Sequence, residues 1–259
     1  MIESISHSND QRGIAPQPSR KLPVLGSSLL LLAVVGFSAI ETTSAAAQPA
    51  TDADAAQAPA SSADAAEGVE APEPTASVDV AELMAEGPLP DIVIGDPNAP
   101  VTIVEYASMT CGHCANFHEN SYPTIKTDYI DTGKAKLIIR EFPFDPRALA
   151  AFMLARCTQN DAQRTAMIDV LFDQQDVWAR AENASTALLN IARLAGFTQE
   201  SFAACLNNKE LQEQIVATQE RGQQEFGVDA TPTFFVNGDK YAGSLPPDQI
   251  AAIIEQKLR

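Results

Sequence analysis

The chain has 259 residues with 34 acidic against 17 basic side chains, a formal net charge of −17. A phosphate backbone is bound through basic surface, and no basic patch stands out anywhere, so nucleic-acid recognition is excluded as a main role. The stretch from Asp91 to Arg259, about 170 residues, is long enough for one buried core.

The N-terminal third is of a different kind. Its first 21 residues are polar and include Arg12, Arg20 and Lys21, and Leu22 to Ile40 is then an uncharged apolar run of 19 residues, followed by small residues around Ala45-Ala46-Ala47. Basic, apolar and small segments in that order are an export signal, and residues 1–47 are read as a signal peptide cleaved near Ala47. The run is also about long enough to span a bilayer, so a retained signal anchor is the alternative. The basic residues ahead of it place the remainder outside the cytoplasm in either case.

Residues 48–90 are rich in alanine, proline and acid, with nine acidic residues and no Lys or Arg. Such a tract buries too little to fold alone, and it is expected to be a disordered acidic linker with at most a helical turn around Val80 to Met84. The remaining domain carries 22 acids against 14 bases, so it is only modestly acidic.

From Asp91 the pattern is that of an α/β domain. Ile92 to Ile94 and Val101 to Tyr106 read as strands separated by the turn Pro97-Asn98-Ala99-Pro100, a helix opens at Cys111, and Lys136 to Phe142 reads as a further strand. Asp145-Pro146 supplies an N-cap and a first-turn proline. Apolar residues then recur at helical spacing through Leu149, Phe152, Met153 and Cys157, through Met167, Val170, Leu171 and Trp178, and through Leu188, Ile191, Ala192 and Ala195. A helix carrying Phe202 and Cys205 follows, then a longer one from about Lys209 to Phe226. Thr233 to Val236 and Lys240 to Ala242 flank Asn237-Gly238, a strong two-residue hairpin signal, and Ile250, Ile253, Ile254 and Leu258 form the stripe of a closing helix.

Cys111-Gly112-His113-Cys114 lies where the second strand gives way to a helix. At a helix N-terminus the free N–H groups and the positive end of the dipole favour a thiolate, and the spacing lets the second cysteine close a disulfide ring that stores two electrons. A structural zinc site would need four ligands, and Cys157 and Cys205 are far apart without close partners. Haem attachment would need histidine at position 115, which is alanine. Copper held by Cys111, Cys114 and a third ligand such as His118 is chemically reasonable for soft thiolates. No metal and no cofactor is expected for the redox reading. A donor at His113 would further stabilise the Cys111 thiolate. Four cysteines allow three pairings; with the local pair set aside, Cys157 and Cys205 are left for each other as a structural disulfide in an oxidising compartment, two buried free thiols being the alternative.

The combination of Glu105 six positions before the first cysteine, Cys111-Gly112-His113-Cys114, the helical block, and Thr231-Pro232-Thr233-Phe234-Phe235-Val236-Asn237-Gly238 resembles the DsbA-like branch of the thioredoxin superfamily over residues 91–259. The resemblance implies a thioredoxin fold, split into 91–144 and 227–259, with an all-helical domain inserted at 145–226. It implies that Cys111 attacks and Cys114 resolves, that Glu105 lies beneath the dithiol and assists proton transfer, that Pro232 is cis, and that the Thr231 backbone pairs with substrate peptide. His118 is expected to be an ordinary surface or partly buried residue. The implied activity is introduction of disulfides into exported proteins in the periplasm or another extracytoplasmic compartment, with a DsbB-like membrane redox partner. Isomerisation or reduction of misoxidised proteins by a pair kept reduced, and periplasmic Cu(I) binding, are the other readings.

Overall fold

The computed structural model describes residues 69–259, so the expected signal or anchor at 1–47 and the first part of the acidic tract lie outside the described residues. The elements in chain order are β1 (Ala76–Ser77), α1 (Val80–Leu83), β2 (Ile92–Ile94), β3 (Val101–Ala107), α2 (Gly112–Asn120), α3 (Tyr122–Ile125), a π-helical turn (Lys126–Ile130) and β4 (Ala135–Glu141). Then come α4 (Pro146–Arg156), α5 (Asp161–Asp173), α6 (Gln175–Trp178), α7 (Ala184–Leu194), α8 (Gln199–Leu206), α9 (Lys209–Phe226), β5 (Thr233–Val236), β6 (Asp239–Ala242) and α10 (Pro247–Leu258). Together they form a thioredoxin-like α/β fold with a helical block between β4 and β5.

The sheet runs β1-β6-β5-β3-β4-β2, with β3 and β4 parallel and the other neighbours antiparallel. The proline-rich turn therefore does not make a hairpin: β2 crosses to pair with β4, Ile92 opposite Ile139, and β3 takes the centre. Alternation along β3 assigns its two faces. Val101, Ile103 and Ala107 join the large core with Phe117 of α2 and Ile250 of α10, whereas Val104 and Tyr106 join Leu83, Phe226, Val228 and Phe235 on the other face. Position 105 thus falls on the face covered by the dithiol helix.

Local chemistry sets the boundaries. Asp145 caps α4 by accepting from the N–H groups of Arg147 and Ala148, with Pro146 in the first turn. Thr198 and Ser201 form a reciprocal capping box on α8. Asn183, part of a short glycosylation-like triplet, caps α7 by accepting from Thr186. The β5–β6 turn places Asn237 and Gly238 at φ of 47° and 92°, the left-handed conformation this hairpin needs.

One boundary needs correction. The disordered linker expected to reach position 90 gives way earlier, because residues 76–91 are built into the fold. β1 extends the sheet at β6, and Leu83 is buried. The Arg140 guanidinium donates to both carboxylate oxygens of Asp91 at 2.8 and 3.0 Å and to the Leu83 carbonyl at 2.8 Å, and Arg221 donates to the carbonyls of Glu82 and Ala85. The segment is too polar to fold alone, but cations belonging to the domain satisfy its backbone, and a few apolar side chains cover an otherwise open face of the sheet.

Candidate active site

Strand β3 ends at Ala107, and the turn through Ser108-Met109-Thr110 delivers Cys111 to the N-cap position of α2 with extended backbone, φ −78° and ψ 117°. Both cysteines of the pair are free thiols; Cys111 is partly exposed and Cys114 is buried, with no exposed surface. This follows from helix geometry: Gly112 and His113 lie on the exposed side of the first turn, while Cys114, Phe117 and His118 fall three and four residues apart on the inward face.

The two thiols are electrostatically opposed. The Cys111 pKa falls to about 5 from an ordinary value of 9.0, chiefly through the hydrogen bond offered by the Cys114 thiol, with smaller help from the Thr231 side chain and from the backbone N–H groups of Cys114 and His113, against the penalty of burial. Cys114 moves well above its ordinary value because burial disfavours its anion, and because its proton is engaged by Cys111 and the charge of Glu105 opposes a second anion nearby.

The loop before β5 closes the site from the opposite side. The Thr231–Pro232 peptide bond is cis, and the Cys111 thiol donates to the Thr231 carbonyl at 3.2 Å. The structure thus gathers Cys111, Cys114, Thr231 and Pro232 at one end of β3, with Glu105 of the same strand close enough for its charge to act on Cys114. His113 is exposed beside Cys114, in contact with the site through its backbone N–H. Cys157, which follows α4, and Cys205, on α8, are disulfide-bonded within the helical block, their Cα atoms 6.1 Å apart.

Two residues take places at the site that the sequence reading did not give them. His118 is buried rather than ordinary surface: its Nε2 lies 2.9 Å from Glu105 Oε2, and its ring stacks on Phe172 with centroids 4.0 Å apart. The signal was present, because a residue four after an inward-facing Cys114 also faces inward. Gln175, at the start of α6, donates through Nε2 to the carbonyls of Met109 at 2.8 Å and Cys111 at 3.0 Å. No local pattern marks it, since the contact spans more than sixty residues.

His118 was also the third ligand considered for copper, but its Nε2 is committed to Glu105, and no group of three or more His, Cys, Asp or Glu side chains that could hold a metal comes together among the described residues. No helix of the described residues is long and apolar enough to cross a membrane, and Leu22 to Ile40 lies outside that range. The arrangement offers a partly exposed, stabilised thiolate against a buried thiol that keeps its proton, which is the requirement for two-step thiol–disulfide exchange.

Comparison with known proteins agrees with this geometry. Residues 89–256 match the family model described as thioredoxin. A Rickettsia conorii protein named as a protein-disulfide oxidoreductase is 34% identical over 168 residues, which cover 65% of this chain and 60% of that protein, so the chain spans under two thirds of such curated relatives. The crystal structure of Wolbachia pipientis alpha-DsbA1 superposes with a TM-score of 0.64 at 36% identity, covering 70% of this chain and 96% of the other. BdbD from Bacillus subtilis shares the fold with a TM-score of 0.59 at 20% identity, covering 73% of this chain and 99% of that one.

Proposed function

The chain belongs to the DsbA-like branch of the thioredoxin superfamily, and from that premise we propose that it is an extracytoplasmic thiol–disulfide oxidoreductase that introduces disulfides into exported proteins through Cys111 and Cys114. The observation that carries this reading is the opposition of the two thiols: Cys111 is partly exposed with its pKa brought down to about 5, and Cys114 is buried with its pKa pushed up.

In the oxidised enzyme a substrate thiolate attacks Cys111 Sγ. The Cys111–Cys114 bond breaks, a mixed disulfide forms at Cys111, and Cys114 leaves as a thiolate that takes up one proton, with Glu105 as the nearest buried acid to supply it. A second substrate thiolate then attacks the substrate sulfur of the mixed disulfide. The substrate disulfide forms and Cys111 departs as a thiolate, so two electrons move from substrate to enzyme. A thiolate stable enough to leave easily makes the reduced enzyme favourable and the oxidised enzyme a strong acceptor, which supports oxidation over isomerisation or reduction. His113, exposed beside the pair, adds a donor or a positive charge near the departing Cys111 sulfur. Thr231, whose carbonyl already accepts from Cys111, presents backbone to an extended substrate peptide ahead of Pro232. A membrane redox partner of the DsbB kind removes the two electrons. Residues 1–47 deliver the chain across the membrane as a signal peptide or tether it as an anchor.

Cys111→Ser should abolish oxidation of a reduced model protein while leaving the fold intact. Undiminished turnover in that variant would overturn the assignment.

A further inference from the structure

Cys114 and Glu105 are both wholly shielded from solvent, so any proton that Cys114 gains or loses must cross an intermediary to reach water. One Glu105 oxygen, Oε2, lies 2.9 Å from His118 Nε2; the other, Oε1, has no hydrogen-bond partner among the described residues. His118 Nδ1 likewise has no partner there. A histidine that only braced a buried carboxylate would be expected to anchor its second nitrogen as well, whereas a ring with one nitrogen at the acid and the other unclaimed takes a proton at one end and releases it at the other. The same ring forms part of the wall of a cavity of about 450 Å³ shared with Tyr122, Lys126, Asp169, Phe172 and Asp173.

We propose that His118 is the relay through which Glu105, and behind it Cys114, exchanges a proton with solvent by way of this cavity. The inference rests on the redox reading above and adds to it a positioning residue that acts through Glu105. The titratable and charged groups at the ring and around its cavity are Glu105 from β3, Glu119 from its own helix, Tyr122 from α3, Lys126 from the π-helical turn, and Asp169 and Asp173 from α5. Among them, the Asp169 carboxyl is pushed up by burial, which the nearby His118 and Lys126 offset only in part, so it is suited to pass protons at the cavity end.

When the reduced enzyme meets a small disulfide, Cys111 forms a mixed disulfide and one thiolate leaves. Ring closure then requires Cys114 to lose its proton: the S–H bond breaks, the proton moves to Glu105 and on through His118, the Cys114 sulfur bonds to Cys111, and the second small thiolate departs. The relay runs in reverse when Cys114 is released during substrate oxidation, and protonating it suppresses its return attack.

The experiment follows both steps with oxidised glutathione on the full chain, comparing wild type, His118→Gln and His118→Ala across pH. The glutamine variant retains an N–H donor toward Glu105 but carries no proton. The relay predicts unchanged mixed-disulfide formation and ring closure slowed about a hundredfold near neutrality. That loss shrinks as rising pH lets hydroxide do the same work, and added imidazole restores closure in His118→Ala. Wild-type closure rates in H2O/D2O mixtures need no variant and should curve with deuterium fraction, because more than one proton moves. Ring closure in His118→Gln at the wild-type rate at every pH, slowing that neither pH nor imidazole relieves, or a linear deuterium dependence would overturn the relay while leaving the redox function standing. A wild-type protein whose Cys111 forms no mixed disulfide would remove the redox reading and the relay together.

Discussion

Gln175 Nε2 donates to the Cys111 carbonyl at 3.0 Å and to the Met109 carbonyl at 2.8 Å, so a residue of the helical block holds the backbone from which the dithiol projects. Gln175 is itself buried, and without it these carbonyls would lose a donor. Gln175→Ala is expected to lower stability by about 1–3 kcal/mol, the cost of buried acceptors left unpaired, measured by denaturant unfolding. It should also slow substrate oxidation, since the Cys111 thiolate depends on backbone N–H groups of the same turn. A variant as stable and as fast as wild type would show that α6 does not fix the dithiol.

The low pKa of Cys111 carries a signed prediction for the reduced protein. A thiol whose folded pKa falls from 9.0 to about 5 adds stability that is fully present above the unfolded value and is lost as pH falls through the folded one. The stability of the reduced form relative to the disulfide form, which has no such thiol to titrate, should therefore rise between about pH 5 and pH 9. Cys114 does not add to this slope, because burial keeps it protonated in the fold. Thermal unfolding of both redox forms across this range measures the difference, and Cys111→Ser should flatten it. A slope that survives that substitution would assign the effect to another group.

Segment 76–91 should behave as part of the domain. Leu83 packs in the cluster formed by Tyr106, Phe226 and Phe235, and Gly222 is what allows α9 to approach Tyr106, since a Cβ there would sit 2.5 Å from its ring. Leu83→Ala should cost about 2–5 kcal/mol. A chain beginning at residue 91 should lose more, because the Arg140 and Arg221 donors are left without the carbonyls of Leu83, Glu82 and Ala85. Equal unfolding midpoints for chains beginning at residues 69 and 91 would refute this.

What the sequence made legible was local. The strand from Val101, the cap at Asp145, the Asn237-Gly238 hairpin and the Cys-x-x-Cys at a helix start each depend on neighbouring residues and lie where the local patterns place them. The segment that opens with the edge strand at Ala76 was not legible, because Lys240, which pairs with that strand, and Arg140 and Arg221, which bind the carbonyls of Leu83 and Ala85, lie far along the chain. His118 falls between these cases: helical spacing from Cys114 puts it inside, but only the register of β3 reveals the carboxylate that waits there.

The redox potential of the Cys111–Cys114 couple is the measurement on which the direction of the chemistry turns. A thiol with a pKa of about 5 is almost wholly ionised at neutrality, and that preference belongs to the reduced state alone. Stabilising the reduced state raises the potential, so equilibration in glutathione buffers should give a value nearer about −120 mV than about −270 mV. Cys157 and Cys205, the one half-buried and the other buried in the helical block, should remain bonded throughout and are followed separately by their own peptides. A value near −270 mV would mean that the thiolate stabilisation is offset within the disulfide form. The isomerase or reductase role, with a partner that keeps the pair reduced, would then replace the oxidase.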